Sequence, residues 1–141
     1  CWENYMPMMR MAMYNQGIQL YCAPTADDRD TWQSSVKHIA LEGRCFVFSS
    51  CQYLTITEYP SNFKVFKTTK DDAVMRGGSC IISPLGKVIA SAGNKKRSII
   101  YAEINLDEII KGKYDFDVVG HYSRPDIFEL KVNKKSKKPV I

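Results

Sequence analysis

The residue with the most chemical promise is Cys1, which stands directly ahead of Trp2, Glu3, Asn4, Tyr5, Met6 and Pro7. Pro7 fits the first turn of a helix running to about Gln16, with Gly17 placed to end it. A cysteine just before a helix gains from the amide dipoles there. Its pKa falls from about 8.5 toward about 7 or below, and the thiolate is the attacking form. Such a nucleophile also needs a base within reach, and no second member of a dyad is close to Cys1 in sequence. Thr25 and Gln52 each fall at or after the carboxyl end of an expected strand, where pocket residues collect in α/β folds. A surface loop would suit the same two positions. His38 and His121 have no ligand spacing to each other or to a cysteine pair, so no metal site is expected. Gly77-Gly78 lacks the further glycines and the Gly-Lys-Ser/Thr ending of a phosphate loop, so no nucleotide cofactor is implied either.

These side chains must be held by a small set of elements. After the first helix, Ile18 to Ala23 reads as a short apolar strand stopped by Pro24, with Thr25 to Asp28 as the loop at its end. Asp30 begins a second helix, where Asp30 and Gln33 have the spacing of a capping box. Trp32, Val36, Ile39, Ala40 and Gly43 recur at the helical period and form one apolar stripe. Cys45 to Phe48 lacks alternation, as expected of a strand covered on both faces, and ends in the polar run Ser49 to Gln52. Tyr53 to Arg76 is mixed in character and longer than ordinary connections, the kind of loop that is functional or disordered. Ser79 to Ser83 and Val88 to Ala90, joined by Pro84-Leu85-Gly86-Lys87, read as a β-hairpin. Ile99 to Ile104 alternates as a last strand, and Asn105 with Glu108 suggests a capping box for a short helix to about Lys113. An extended tail is expected after Gly120. The result is a layered α/β arrangement whose central strand has few neighbours within the chain, so part of the sheet is expected to be missing.

Composition narrows the classes further. The chain has 141 residues, 45% of them hydrophobic and 25% charged, which suits one globular domain. Its apolar runs are short beside the roughly 20 residues of a membrane-spanning helix. The net charge is +5, of which five lysines against Asp126 and Glu129 place +3 in Pro125 to Ile141. The body is therefore nearly balanced and does not suggest nucleic-acid binding. A frayed lysine tail is the plain reading of Lys131, Lys134, Lys135, Lys137 and Lys138, although Lys134 to Pro139 also passes for a nuclear-import patch. Five cysteines without a regular framework suggest a reducing, cytoplasmic chain. Cys22, Cys45, Cys51 and Cys80 are expected to pack as small buried hydrophobes.

Several blocks in order add a resemblance. Cys1-Trp2-Glu3-Asn4 with Met6-Pro7 resembles the nucleophile elbow of the nitrilases, in the carbon-nitrogen hydrolase superfamily. The likeness continues through Tyr21 to Asp27, His38 to Gly43, Gly77-Gly78-Ser79, Ile82 to Val88 and Asp115 to Asp126, the last block resembling plant-type nitrilases. It implies the C-terminal half of a four-layer α-β-β-α fold. Residues 1–105 would belong to the hydrolase domain and 106–141 would form a C-terminal helix and tail. It also implies a Cys-Glu-Lys triad with Cys1 as nucleophile, the Trp2 amide as backbone donor, and the Glu and Lys upstream of the cysteine. Glu3, Glu42 and Lys37 are not assigned those roles. The implied substrate is a small nitrile, converted to acid and ammonia, and the implied assembly is a homo-oligomer, a dimer or spiral. The first residue is not Met, so the chain is expected to be a fragment that is inactive alone. An amidase of the same superfamily and a non-catalytic truncated partner are the alternatives. A hydrolase using the free amine of Cys1 as its own base is a weaker third.

Overall fold

The computed structural model describes residues 1–62 and 72–135. Lys137 and Lys138, and the middle of the long Tyr53 to Arg76 connection, lie outside the described residues.

Cys1 precedes a one-turn 3-10 helix, Trp2–Tyr5, and α1 follows over Pro7–Tyr14 with Pro7 in its first turn. The cysteine thus sits before a short 3-10 turn rather than at the mouth of the α-helix, because Met6 is extended and breaks the helix between them. Strand β1 is Leu20–Pro24, α2 is Asp30–Gly43 and β2 is Phe46–Ser50. Next come β3, Tyr53–Thr55, and β4, Ala73–Arg76, paired antiparallel so that the ends of the long connection close on each other. The hairpin is β5, Cys80–Ile82, with β6, Val88–Ser91, and α3 is Asp107–Asp115.

Strands β1, β2, β5 and β6 form one sheet in the order β1-β2-β5-β6, with β2 parallel to β1 and antiparallel to β5. Helices α1 and α2 cover one face of it. The core there joins Tyr14 to Trp32, Val36, Ile39 and Ala40 of α2 and to Tyr21, Ala23, Val47, Cys80 and Ile82 of the sheet. The five buried residues of α2 are the five of the apolar stripe, Gly43 included. A Cβ on Gly43 would collide with the Tyr14 ring, so glycine is what lets α1 and α2 meet this closely. On the opposite face Phe46 and Ile81 are buried, but Leu20, Cys22 and Phe48 keep exposure that no helix of the described residues removes.

Four expectations are corrected. Asp30 and Gln33 form no capping box: Arg29 occupies the N-cap without a side-chain bond, and Gln33 Nε2 donates instead to the Gly78 carbonyl at 2.9 Å. The α3 box is half made, since Asn105 Oδ1 accepts the Asp107 N–H at 2.9 Å while Glu108 returns no side-chain bond. Residues 99–104 form no strand, although their exposure alternates. Alternation reports which side is covered, and a ladder also requires a partner's amides. Cys22 is exposed rather than packed inside, because the pleat turns it away from the helices. After Gly120 the described residues form no helix or strand and are nearly all exposed; Val118 and Val119 ahead of them pack on the core, and a groove of about 640 Å³ lies between Pro7, Met8 and Met11 and Tyr122, Ile127 and Leu130.

Candidate active site

Asn4 organises the turn that carries Cys1. Its Nδ2 donates to the Cys1 carbonyl at 2.9 Å, and its backbone N–H reaches the same oxygen at 3.3 Å. Asn4 itself is held from two sides. The Tyr21 hydroxyl donates to Asn4 Oδ1 at 3.1 Å, and Arg10 Nη1 donates to the Asn4 carbonyl at 3.0 Å. Arg10 is in turn clamped by Glu42, through Nε at 2.7 Å and Nη2 at 3.2 Å, and the Tyr14 hydroxyl donates to the same carboxylate at 2.9 Å. Burial opposes the charge on Glu42, but the bonds from Arg10 and Tyr14 outweigh it and hold the carboxyl below its ordinary value. Burial and the same carboxylate push the Tyr14 phenol upward. A chain of polar contacts therefore runs from α2 through α1 to the backbone of the cysteine.

The sulfur faces the end of β1. Cys1 Sγ lies 3.2 Å from Thr25 Oγ1, and Thr25 is nearly buried. The Thr25 N–H donates to the Ser50 carbonyl at 2.9 Å, extending the β1–β2 ladder by one bond, so the hydroxyl is carried by the sheet rather than by a free loop. Beyond it, Cys1 and Trp2 face Ala26 to Arg29 across an open cleft of about 220 Å³. Arg29 forks onto Asp27 at 2.7 and 2.6 Å, and the Tyr5 hydroxyl donates to Asp27 at 2.8 Å. These bonds, Arg29's above all, hold the Asp27 carboxyl well below the usual carboxylate range. Asp28 accepts the Arg76 N–H at 2.8 Å. Both cleft carboxylates are thus committed to cations or amides, and neither is placed to take a proton from the thiol at neutral pH. Glu3 lies at the surface against the Cys1 α-amino group.

Three of the other four thiols differ from Cys1 in kind. Burial pushes Cys45 up to about 12 and Cys51 and Cys80 up to about 11, so these three are protonated, inert packing groups. Of the two pocket candidates, Thr25 is brought to the sulfur. Gln52 is exposed, and its amide donates to Met75 Sδ at 3.3 Å on the β3–β4 pair. The Trp2 N–H opens a helical turn, where the first amides have no partner inside the turn. Among the described residues no group of His, Cys, Asp and Glu is arranged to hold a metal. Sequence reasoning missed Asn4, Arg10, Tyr14 and Tyr21. The signal was a lone arginine in the methionine-rich α1, matched by Glu42 at the end of the α2 stripe.

The family model described as carbon-nitrogen hydrolase matches residues 1–114. The chain belongs to the carbon-nitrogen hydrolase family. Among curated relatives of this carbon-nitrogen hydrolase, a nitrilase of Bradyrhizobium diazoefficiens is 55% identical over 99% of the chain and 44% of its own length. An aliphatic nitrilase of Sinorhizobium fredii is 54% identical over 100% of the chain and 46% of its own. Nitrilase 2 of Arabidopsis thaliana is 48% identical over 99% and 43%. The chain therefore spans less than half the length of these relatives. In fold, the C. elegans NitFhit protein superimposes with a TM-score of 0.70 at 22% identity, covering 99% of this chain and 31% of that one. A carbon-nitrogen hydrolase of Helicobacter pylori does so at 0.68 and 18% identity, covering 90% and 45%. The α/β fold of the superfamily is thus present in part, as one sheet and its helix layer.

Proposed function

We propose that this chain is the nucleophile-bearing portion of a nitrilase. The observation that carries the reading is the seating of Cys1: its thiol alone opens on the 220 Å³ cleft with a fixed hydroxyl at the sulfur. The 48% to 55% identity to proteins named as nitrilases favours a nitrile over other carbon-nitrogen substrates. In the reaction, the Cys1 thiolate adds to the nitrile carbon, and protonation of the nitrogen gives a thioimidate. Water adds to that carbon, ammonia leaves, and a thioester remains. A second water releases the carboxylic acid and regenerates the thiol. The Trp2 N–H is the backbone donor for charge developing on the substrate nitrogen and then oxygen. Asn4 fixes the turn that aims both groups. Asp27 and Asp28 are committed elsewhere and Glu42 is clamped by Arg10, so the general base lies outside this set, and the chain alone is inactive. Thr25 backs the nucleophile, and Gln52 lies farther out, where a bound substrate would extend along the β3–β4 edge.

The test is ammonia release by the full natural polypeptide from an aliphatic nitrile, an arylacetonitrile, cyanoalanine and the matching amides. Ammonia and acid from at least one nitrile, abolished by Cys1→Ser, are expected. Release from amides alone would replace this reading with an amidase, and no release from any of them would remove the enzyme reading.

A further inference from the structure

We infer that the Thr25 hydroxyl is a catalytic hydrogen-bond donor to the Cys1 thiolate, holding the sulfur charged and aimed at the cleft. The inference deepens the nucleophile reading above and rests on it. A threonine hydroxyl has one proton and two acceptor sites. The Asp27 N–H occupies one acceptor site at 2.9 Å. Among the described residues the hydroxyl makes one other contact, the 3.2 Å approach to Cys1 Sγ. A thiolate has no proton to give, so in the reactive state the proton on this contact comes from Thr25. The backbone is pinned on both sides. Thr25 is pinned through its own N–H to Ser50, and Cys1 through its carbonyl to Asn4. The backbones that carry the two side chains therefore hold their places when the sulfur ionises.

Other charges face the same sulfur and must be separated from this effect. On the 3-10 turn this is Glu3, exposed at the surface. On the loop after β1 they are Asp27 and Arg29, joined as a fork, and Asp28, bonded to Arg76. All of them stay in place when Thr25 alone is changed, so a difference between variants reads the hydroxyl.

The experiment measures alkylation of Cys1 by iodoacetamide between pH 5.5 and 10 in the full natural polypeptide, read from the mass of the Cys1 peptide. N-acetylcysteine in the same tube normalises the reagent. Thr25→Val keeps the shape without the hydroxyl, Thr25→Ala removes both, and Thr25→Ser keeps the hydroxyl. Losing a donor to the charged form raises the midpoint by about one pH unit, which slows capture about tenfold at pH values well below both midpoints. That shift is expected for Val and Ala, with Ser close to the wild type. Unmoved midpoints in Val and Ala would overturn the inference, even alongside a lowered melting temperature, since a structural role alone predicts that combination. A Ser variant shifted as far as Val would overturn it too. The nitrile assay on the unaltered polypeptide separates the two readings. A midpoint shift without nitrile hydrolysis keeps the hydrogen bond and removes the nitrilase, and hydrolysis with an unmoved midpoint does the reverse.

Discussion

Arg10 and Glu42 form an almost buried ion pair where an apolar pair would pack at least as stably, since desolvation offsets much of the attraction. What the charges add is direction: the guanidinium fork also reaches the Asn4 carbonyl, which a hydrocarbon could not hold. Arg10→Met leaves the half-buried Glu42 carboxylate with too few donors and should lower stability by about 2–4 kcal/mol in urea titrations. Glu42 is held below its ordinary value of 4.5, so its contribution is fully present above that pH and is lost as pH falls through its folded value. Asp27 follows the same sign. Urea midpoints should therefore drop as the pH falls below about 4.5 in the wild type, and less in Glu42→Gln. An equal drop in both would remove Glu42 from the account of acid sensitivity.

The α2 stripe was legible because five apolar positions at one period admit a single buried face, and the structure buries those five. Its cap was not legible, because Gln33 is drawn off by a carbonyl 45 residues away. Spacing cannot anticipate a long-range competitor of that kind. The same limit explains the site. Cys1 and Thr25 could be singled out by type and by position on their elements, but their meeting depends on the Asn4 turn and the β1–β2 ladder acting together. The Arg10–Glu42 clamp depends on two helices crossing at a glycine. Gly43→Ala should cost about 1–3 kcal/mol, because the new methyl must displace the Tyr14 ring and with it the hydroxyl's bond to Glu42. Thermal unfolding reads the loss, and a neutral result would mean that α1 shifts aside freely.

At the scale of the molecule, the described residues leave large apolar side chains open to solvent. Ile99, Tyr101, Ile110, Tyr114 and Phe128 are all largely exposed, as is part of the outer sheet face. Surface of this kind favours association. The purified 141-residue chain should show a mass above 16.1 kDa that rises with concentration in light scattering. A dispersed monomer with a sharp thermal transition would contradict that expectation.

Cys22, on that outer face beside Phe48, gives the question its own readout. A maleimide added to the folded Cys1→Ser chain, whose remaining thiols apart from Cys22 are buried, reports through this one thiol whether another layer has settled over the sheet. Fast labelling marks bare β1, protection marks a seated partner, and the protected rate divided by the bare rate gives the fraction of time that layer is absent.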